Sequence, residues 1–122
     1  MKVKEIIVTP VTTCSDKTDV AAARELMRFK KFSALPVVRV DEGKVKILGI
    51  LSYADLAGVY DDNINVQQIM STDVKSINPE ASIQEAAQLM VDEGIHHLVV
   101  KDDHIQGIIS SFDFVKYVAK QG

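Results

Sequence analysis

The stretch Gly49-Ile-Leu-Ser-Tyr-Ala-Asp55 decides the fold, because it occurs again as Gly107-Ile-Ile-Ser-Ser-Phe-Asp113. In each copy, a glycine and two branched apolar residues predict the end of a buried strand, and Ser-x-x-Asp predicts the start of a helix. Such a hinge places backbone N–H groups and a carboxylate at the carboxyl end of a strand, where ligands tend to bind in open α/β sheets. Ser-x-x-Asp is equally a capping box with Asp in place of Glu, which needs no ligand. We call Ser52–Asp55 the first hinge and Ser110–Asp113 the second hinge.

The two hinges belong to a repeat that spans the chain. A shift of 63 residues aligns many positions, and the shift falls to 58 at Gly49 and Gly107. The difference coincides with Asp41-Glu-Gly-Lys44, which predicts a hairpin turn, a place where insertions are tolerated. We therefore expect two repeats, residues 2–60 and 65–119. The aligned pairs include Val3/Val66, Ile6/Ile69, Ala23/Ala86, Leu26/Leu89, Leu35/Leu98 and Val37/Val100.

Each repeat is predicted to have the order β-α-β-β-α after one short helical turn, at residues 2–8 and 65–71. One repeat of about 60 residues would not bury both helices and its sheet alone. The predicted fold class is α+β, with two pseudo-symmetric repeats packed through their sheets as one module. The predicted elements are strands Val11–Cys14, Leu35–Val40 and Val45–Leu51 with helix Val20–Lys31, strands Val74–Ile77, His97–Lys101 and Ile105–Ile109 with helix Ile83–Glu93, and final helices that begin at Ser52 and Ser110, the first running to about Tyr60.

Helix ends are marked by capping residues. Asp19, Ser82 and Asn65 are predicted N-caps, and Ser82-x-x-Glu85 matches a capping box. Gly94 is placed as a C-terminal glycine that ends the second long helix.

Composition excludes several classes of protein. The chain has 122 residues and a net charge of −3, which gives no case for a nucleic-acid partner. We expect no membrane association, because no apolar run approaches the ~20 residues that span a bilayer. The start of the chain lacks the features of a signal peptide. The single cysteine, Cys14, makes a reducing cytoplasm the default location and predicts a small buried hydrophobe more readily than a reactive thiol.

The repeat order, the hinge motif, Leu35-Pro-Val-Val38 and Gly94-Ile-His-His-Leu-Val-Val100 resemble a tandem pair of cystathionine-β-synthase (CBS) domains. The resemblance implies a regulatory module that binds adenosine nucleotides of the AMP, ADP and ATP class in clefts between the repeats. It also implies a homodimer and an unidentified target protein, and it requires no cofactor. The sequence does not choose between these nucleotides, S-adenosylmethionine and a dinucleotide.

The resemblance also assigns roles to residues. Ser52, Asp55, Ser110 and Asp113 would bond the ligand, with the aspartates accepting from the ribose hydroxyls. His96 and His97 stand where the family often has basic residues that meet phosphates. The adenine would contact the first strand of each repeat, for which Thr12, Ser76, Ile77 and Pro79 are the candidates.

The first repeat has Ser33 and Ala34 in the positions of the two histidines. If the hinge of one repeat faces the histidine segment of the other, Ser52 and Asp55 share a cleft with His96 and His97. This hypothesis predicts that the first hinge takes a phosphorylated ligand better than the second.

Other functions have less support in the sequence. The adjacent histidines have no Cys, Asp or Glu at zinc-ligand spacing, so we expect no metal site. No P-loop, nucleophile elbow or Cys/His pair is found, so we expect no enzymatic activity. The alternative from another class is a dimeric scaffold or protein-interaction module that binds no nucleotide.

Overall fold

The computed structural model describes residues 1–7, 11–30 and 32–121 and confirms the α+β class. Two copies of the predicted order β-α-β-β-α follow one another, each preceded by a short 3₁₀ turn. The turns are Val3–Glu5 and Val66–Gln68. The first copy consists of β1 (Cys14–Ser15), α1 (Val20–Lys30), β2 (Ala34–Asp41), β3 (Lys44–Ser52) and α2 (Tyr53–Leu56); the second consists of β4 (Ser76–Ile77), α3 (Ile83–Glu93), β5 (His97–Lys101), β6 (Ile105–Ser110) and α4 (Ser111–Gln121).

Each copy forms one three-stranded sheet, in the orders β1-β2-β3 and β4-β5-β6. The short first strand is parallel to the second, and the second and third strands form an antiparallel hairpin. The hairpin register pairs Ala34 with Ser52 and His97 with Ser110. The start of each second strand therefore lies beside the hinge serine of its own sheet.

The chain folds into two compact units, Thr12–Val74 and Met1–Val11 with Lys75–Gly122. In the unit that contains the second repeat, Val3 is fully buried and its N–H donates to the carbonyl of Ala81, at 2.9 Å. In the unit that contains the first repeat, Val66 is fully buried and its N–H donates to the carbonyl of Thr18, at 3.0 Å. The turn that opens each sequence repeat thus packs with the strands and helix of the other repeat.

Each unit has its own apolar core beneath its sheet. The two cores consist of equivalent residues of the repeat, which explains why the sequence periodicity is strong at these positions. The first contains Cys14, Val20, Ala23, Met27, Leu35, Val37, Leu51, Leu56 and Val66, and the second contains Val3, Ala86, Met90, Leu98, Val100 and Ile109.

The predicted extent of α2 was wrong. The helix ends at Leu56 and does not reach Tyr60, because Ala57 is extended and Gly58 has φ +80°. The guanidinium of Arg24 in α1 donates to the carbonyls of Leu56, at 3.4 Å, and Val59, at 2.7 Å. These bonds satisfy carbonyl groups that a continued helix would have paired internally.

The first strand of each sheet is also shorter than predicted and begins later, at Cys14 and Ser76. These strands pair with only two residues of the neighbouring strand, Val37–Val38 and Val99–Val100. The predicted positions Val8 and Lys31 lie outside the described residues.

The capping predictions are confirmed in most details. The Asp19 carboxylate accepts from Ala22 N–H at 2.8 Å, and Ser82 Oγ accepts from Glu85 N–H at 3.0 Å, which is the serine half of the predicted box. Asn65 caps its 3₁₀ turn. Gly94 ends α3 in the left-handed region, at φ 66°. None of the helices in the described ranges has the length and apolar character that crossing a membrane requires.

Candidate functional site

The first hinge is a complete capping box. Ser52 N–H donates to Asp55 Oδ2 at 2.8 Å, and Asp55 N–H donates to Ser52 Oγ at 3.2 Å. Both side chains are half-buried. Within the described part of the chain, no donor contacts Asp55 Oδ1. The Asp55 carboxylate therefore keeps one oxygen available beyond its capping role.

The second hinge uses its carboxylate differently. Ser110 donates twice to Asp113 Oδ2, from its N–H at 2.8 Å and from its hydroxyl at 3.2 Å. The other oxygen, Oδ1, lies 3.4 Å from Lys116 Nζ, one helical turn further along α4. The Asp113 side chain is only 15% exposed, whereas that of Lys116 is 52% exposed. Both oxygens of the Asp113 carboxylate thus have partners.

The capping interpretation of Ser-x-x-Asp is therefore confirmed at the first hinge, and at the second Asp113 likewise accepts from the Ser110 N–H. The Asp55 and Asp113 carboxylates can accept further hydrogen bonds while they cap their helices, because an ionised carboxylate offers about four lone-pair sites. The two hinges differ in the charge beside the carboxylate: Lys116 lies beside Asp113, whereas no cationic side chain of the described residues is paired with Asp55. Sequence reasoning missed Lys116, although its i,i+3 spacing from Asp113 on a helix indicates such a pair.

The residues before β2 and β5 are attached to the hinge of their own unit. The carbonyl of Ser33 accepts from Tyr53 N–H at 2.8 Å, and the carbonyl of His96 accepts from Ser111 N–H at 2.9 Å. His96 Nδ1 also lies 3.4 Å from Ser111 Oγ. Together with the pairing of His97 and Ser110 in the sheet, these contacts place both histidines at the second hinge.

The sequence hypothesis places His96 and His97 in the cleft of Ser52 and Asp55, which belong to the other unit. Within their own unit, the histidines neighbour Ser110 and reach its helix through Ser111. The pairing with the first hinge remains a prediction.

The adenine candidates of the second repeat lie along the outer edge of its sheet. Ser76 and Ile77 form β4, which pairs with Val99 and Val100 of β5. Pro79 follows, is buried, and accepts from Lys4 N–H through its carbonyl at 3.1 Å. Adjacent strands are about 4.8 Å apart, so β4 lies roughly 10 Å across the sheet from β6, which ends at the hinge. Thr12, in the other unit, is half-buried two residues before β1.

Cys14 is confirmed as a core residue. Its side chain is 6% exposed and packs in the core of the first unit. Burial raises the pKa of its thiol to about 11, so the nucleophilic thiolate is scarce near neutral pH. Among the described residues, no three His, Cys, Asp or Glu side chains converge to hold a metal ion.

Comparison with known proteins gives consistent matches. The model of the family described as CBS domain matches residues 3–62 and 66–120. The Bacillus subtilis protein named CBS domain-containing protein YhcV is 32% identical over 117 residues, which are 91% of this chain and 81% of that protein. The chain also matches a homoserine O-acetyltransferase and an inosine-5'-monophosphate dehydrogenase, from Methanosalsum zhilinae and Methanocaldococcus jannaschii, but spans only 14% and 23% of their lengths.

Two solved structures have closely similar folds. A protein with CBS domains from Burkholderia ambifaria MC40-6 is 29% identical, with a TM-score of 0.85 and coverage of 100% of this chain and 97% of that one. The CBS domain pair of protein MJ0100, solved in complex with 5'-methylthioadenosine and S-adenosyl-L-methionine, has a TM-score of 0.87. It is 23% identical and covers 100% of this chain and 98% of that one, and this similarity establishes the fold alone.

Proposed function

Because the chain belongs to the CBS domain family, with two adjacent repeats, we propose that it is a regulatory module that binds adenosine-containing ligands. The observation that carries the proposal is the pair of half-buried hinge carboxylates, Asp55 and Asp113, each held in place by the N–H of its own serine. A carboxylate fixed in this way can accept from vicinal hydroxyls, and charge-assisted bonds of this kind are stronger than neutral ones.

In this proposal, Ser52 with Asp55 and Ser110 with Asp113 are the ribose-binding residues. The free Oδ1 of Asp55 would accept directly from a ribose hydroxyl. At the second hinge, a ligand would displace Lys116 from Oδ1 or share that oxygen with it, and Lys116 is exposed enough to move.

The adenine would be recognised through backbone groups at a sheet edge. Among the strands that the structure describes, β4 neighbours β5 alone, so the other side of the Ser76–Ile77 backbone can bond a ligand. Buried Pro79 would supply apolar contact beside this edge. Thr12 is the corresponding candidate in the first repeat.

The contacts within each unit support a phosphate assignment that is an alternative to the sequence hypothesis. His96, His97 and Lys116 are all neighbours of the second hinge, whereas the first hinge is flanked by Ser33 and Ala34. We therefore propose that the second hinge accepts a phosphorylated ligand and that the first hinge suits an adenosine ligand without phosphates.

The ligands of protein MJ0100 support the adenosine part of the proposal. 5'-Methylthioadenosine and S-adenosyl-L-methionine share the adenosine group and carry no phosphate. AMP, ADP and ATP share the same group, and a hinge that reads the ribose would accept either class. Further parts of the proposal are a module built from repeats 2–60 and 65–119, a homodimer that signals through its conformation to a target protein, a cytoplasmic location and no catalysis of its own.

Binding can be tested by thermal unfolding and titration calorimetry with 5'-methylthioadenosine, S-adenosylmethionine, AMP, ADP and ATP. A ligand at a hundred times its dissociation constant adds about 2.7 kcal/mol to the free energy of unfolding, which raises Tm by several degrees. Asp55→Asn and Asp113→Asn remove the charge but keep a capping oxygen. Asp19→Asn is the matched control, since Asp19 also caps a helix but lies outside the hinges.

We expect Asp113→Asn to weaken AMP and ATP binding, and Asp55→Asn to weaken 5'-methylthioadenosine binding. Asp19→Asn should weaken neither. If no adenosine ligand raises Tm, the proposal is wrong, and the ligand-free dimeric scaffold becomes the better function.

A further inference from the structure

The hairpin of the first repeat continues beyond its three-stranded sheet as a two-stranded arm, which we define as residues 39–46. β1 pairs with β2 only at Val37 and Val38, so none of the described strands lies beside the arm as a third strand. Its three cross-strand pairs are Arg39 with Lys46, Val40 with Val45, and Asp41 with Lys44. The five-residue length difference between the repeats falls within this hairpin, and the second repeat therefore lacks an equivalent arm.

One face of the arm is apolar and exposed. Val40 is 64% exposed and Val45 is 57% exposed, and as direct cross-strand partners they lie on the same face. The opposite face is charged. There, Asp41 Oδ2 lies 3.1 Å from Arg39 Nε and 3.8 Å from Lys46 Nζ.

The outer edge of β2 offers backbone groups for further pairing. Asp16 N–H donates to the Val38 carbonyl at 3.1 Å, so the backbone of Val38 points away from β3. Because backbone direction alternates along a strand, Val40 N–H and C=O point to the same outer edge. No backbone hydrogen bond from the described residues reaches them. An unpaired edge of this kind is a template for pairing with another strand.

We propose that this edge pairs with a second copy of the chain, antiparallel and centred on Val40. Around Val40, the order Arg39-Val40-Asp41 is self-complementary, because the two-fold axis places each arginine opposite the aspartate of the second copy. The outer edge of β3 does not offer this, because Lys44-Val45-Lys46 would place lysine opposite lysine. Charge complementarity thus selects the β2 edge and identifies a second copy as the occupant.

The pairing would join the two arms into one four-stranded ribbon. Val45, Val40 and their two counterparts would form a continuous apolar row on one face, which removes exposed apolar area from water. Two Arg39–Asp41 contacts would form on the other face. This proposal rests on the arm alone and is independent of ligand binding.

Cysteine cross-linking tests the register directly. In an antiparallel pair that exchanges hydrogen bonds, the two Cα atoms are about 5.5 Å apart, a distance that a disulfide spans. Val40→Cys should therefore form a disulfide-linked dimer under mild oxidation. Val45→Cys is the matched control, because the two Val45 positions would be three strand spacings apart, about 14 Å. Cys14 is buried, and the unsubstituted chain supplies the background.

Charge reversal tests the selection of the edge. Arg39→Asp or Asp41→Arg alone creates two like-charge contacts in the dimer and should weaken association about tenfold by sedimentation velocity. The double variant Arg39→Asp with Asp41→Arg restores complementarity and should restore the dimer. Equal cross-linking of Val40→Cys and Val45→Cys, no cross-linking of either, or equal association of all charge variants would overturn the proposal.

Discussion

Gly49 lies directly against the backbone of Ser71: a Cβ at position 49 would be 2.5 Å from the Ser71 carbonyl oxygen and 2.7 Å from Met70 Sδ. Next to it, Ile50 and Ser71 exchange two backbone hydrogen bonds of 2.9 Å. Gly49 therefore leaves space for Met70 and Ser71, which follow the opening turn of the second repeat. This close approach explains the glycine without reference to a ligand.

Gly49→Ala should consequently destabilise the protein by about 1–3 kcal/mol, because the added methyl group meets the Ser71 carbonyl oxygen, which is held by its hydrogen bond from Ile50 N–H. Urea unfolding followed by circular dichroism measures this loss as a lower midpoint with an unchanged slope. Adding Met70→Ala should not rescue the variant, since the closer contact is with the Ser71 carbonyl. Full rescue by Met70→Ala would show that the side chain alone requires the glycine.

The two hinge aspartates should differ in their effect on stability. Asp55→Ala removes the aspartate half of the capping box, which costs about 1 kcal/mol. Asp113→Ala should cost more, because Asp113 accepts two bonds from Ser110 and pairs with Lys116. Lys116→Ala is the control for the ion pair and should cost only about 0.3–0.5 kcal/mol. Denaturant unfolding without ligand measures all three, and equal costs for the two aspartates would contradict the difference in bonding.

The ion pairs of Glu80 with Lys2 and Lys4 should make the stability of the protein depend on pH. Hydrogen bonds from Lys2 and Lys4, each 2.6 Å long, lower the pKa of Glu80 from 4.5 to about 2. Since the folded pKa lies below the unfolded value, this contribution is present above pH 4.5 and is lost as the pH falls towards 2. Glu80 is exposed, so solvent and salt weaken the effect.

The variant Glu80→Gln should therefore lose stability less steeply than the parent between pH 4.5 and pH 2. The amides of Val3 and Lys4, which donate to the carbonyls of Ala81 and Pro79, should exchange faster in this variant at pH 7. Identical acid profiles for the two proteins would mean that the ion pairs contribute nothing measurable.

Cys14 should resist alkylation in the folded protein. Its thiol is buried and its pKa is raised to about 11, so at pH 8 the thiolate is both rare and inaccessible. Iodoacetamide followed by mass measurement should show little modification until denaturant is added. The same protein unfolded in denaturant gives the reference rate in this experiment.

A fragment of the chain should fold on its own more readily if it ends at the bounds of a compact unit than if it ends at the bounds of a sequence repeat. Residues 12–74 keep Val66 in the first core, whereas residues 2–60 lack it. Removal of a fully buried apolar side chain costs several kcal/mol, a large share of the stability of about 60 residues. We expect cooperative thermal unfolding for 12–74 and a weaker or absent transition for 2–60. The reverse order would contradict the assignment of the Val66–Gln68 turn to the unit that contains the first repeat.

The sequence predicts the ends of a helix well where the residues that cap the helix lie next to it in the chain. α3 begins and ends at the predicted residues, because Ser82 caps one end and Gly94 the other. α2 was predicted too long, since its end depends on bonds from Arg24, which lies 32 residues earlier in the chain. The sequence also does not show that Val3 packs with the second repeat and Val66 with the first, because both turns begin with valine at equivalent positions of the repeat.

The residues of the two hinges could be predicted from the sequence, but the residues that lie beside each hinge could not. Ser-x-x-Asp identified both hinges, and the same pattern also predicted the caps that the structure contains. The neighbours of each hinge depend on sheet register: His97 reaches Ser110 through strand pairing, and His96 reaches Ser111 through a side-chain contact. The spacing of residues in the sequence does not indicate which hinge lies beside the histidines.

The turn that opens each repeat packs with the other repeat, and this arrangement determines which segments of the chain form each compact unit. Each compact unit becomes a continuous run of residues if the chain is closed end to end and reopened between Val74 and Lys75. A circular permutant that starts at Lys75 would carry residues 75–122 and 1–11 as one unit, followed by 12–74 as the other. In the natural order, the unit that contains the second repeat combines residues 1–11 with residues 75–122, so residues 1–11 find their partners only after residues 75–122 have been synthesised.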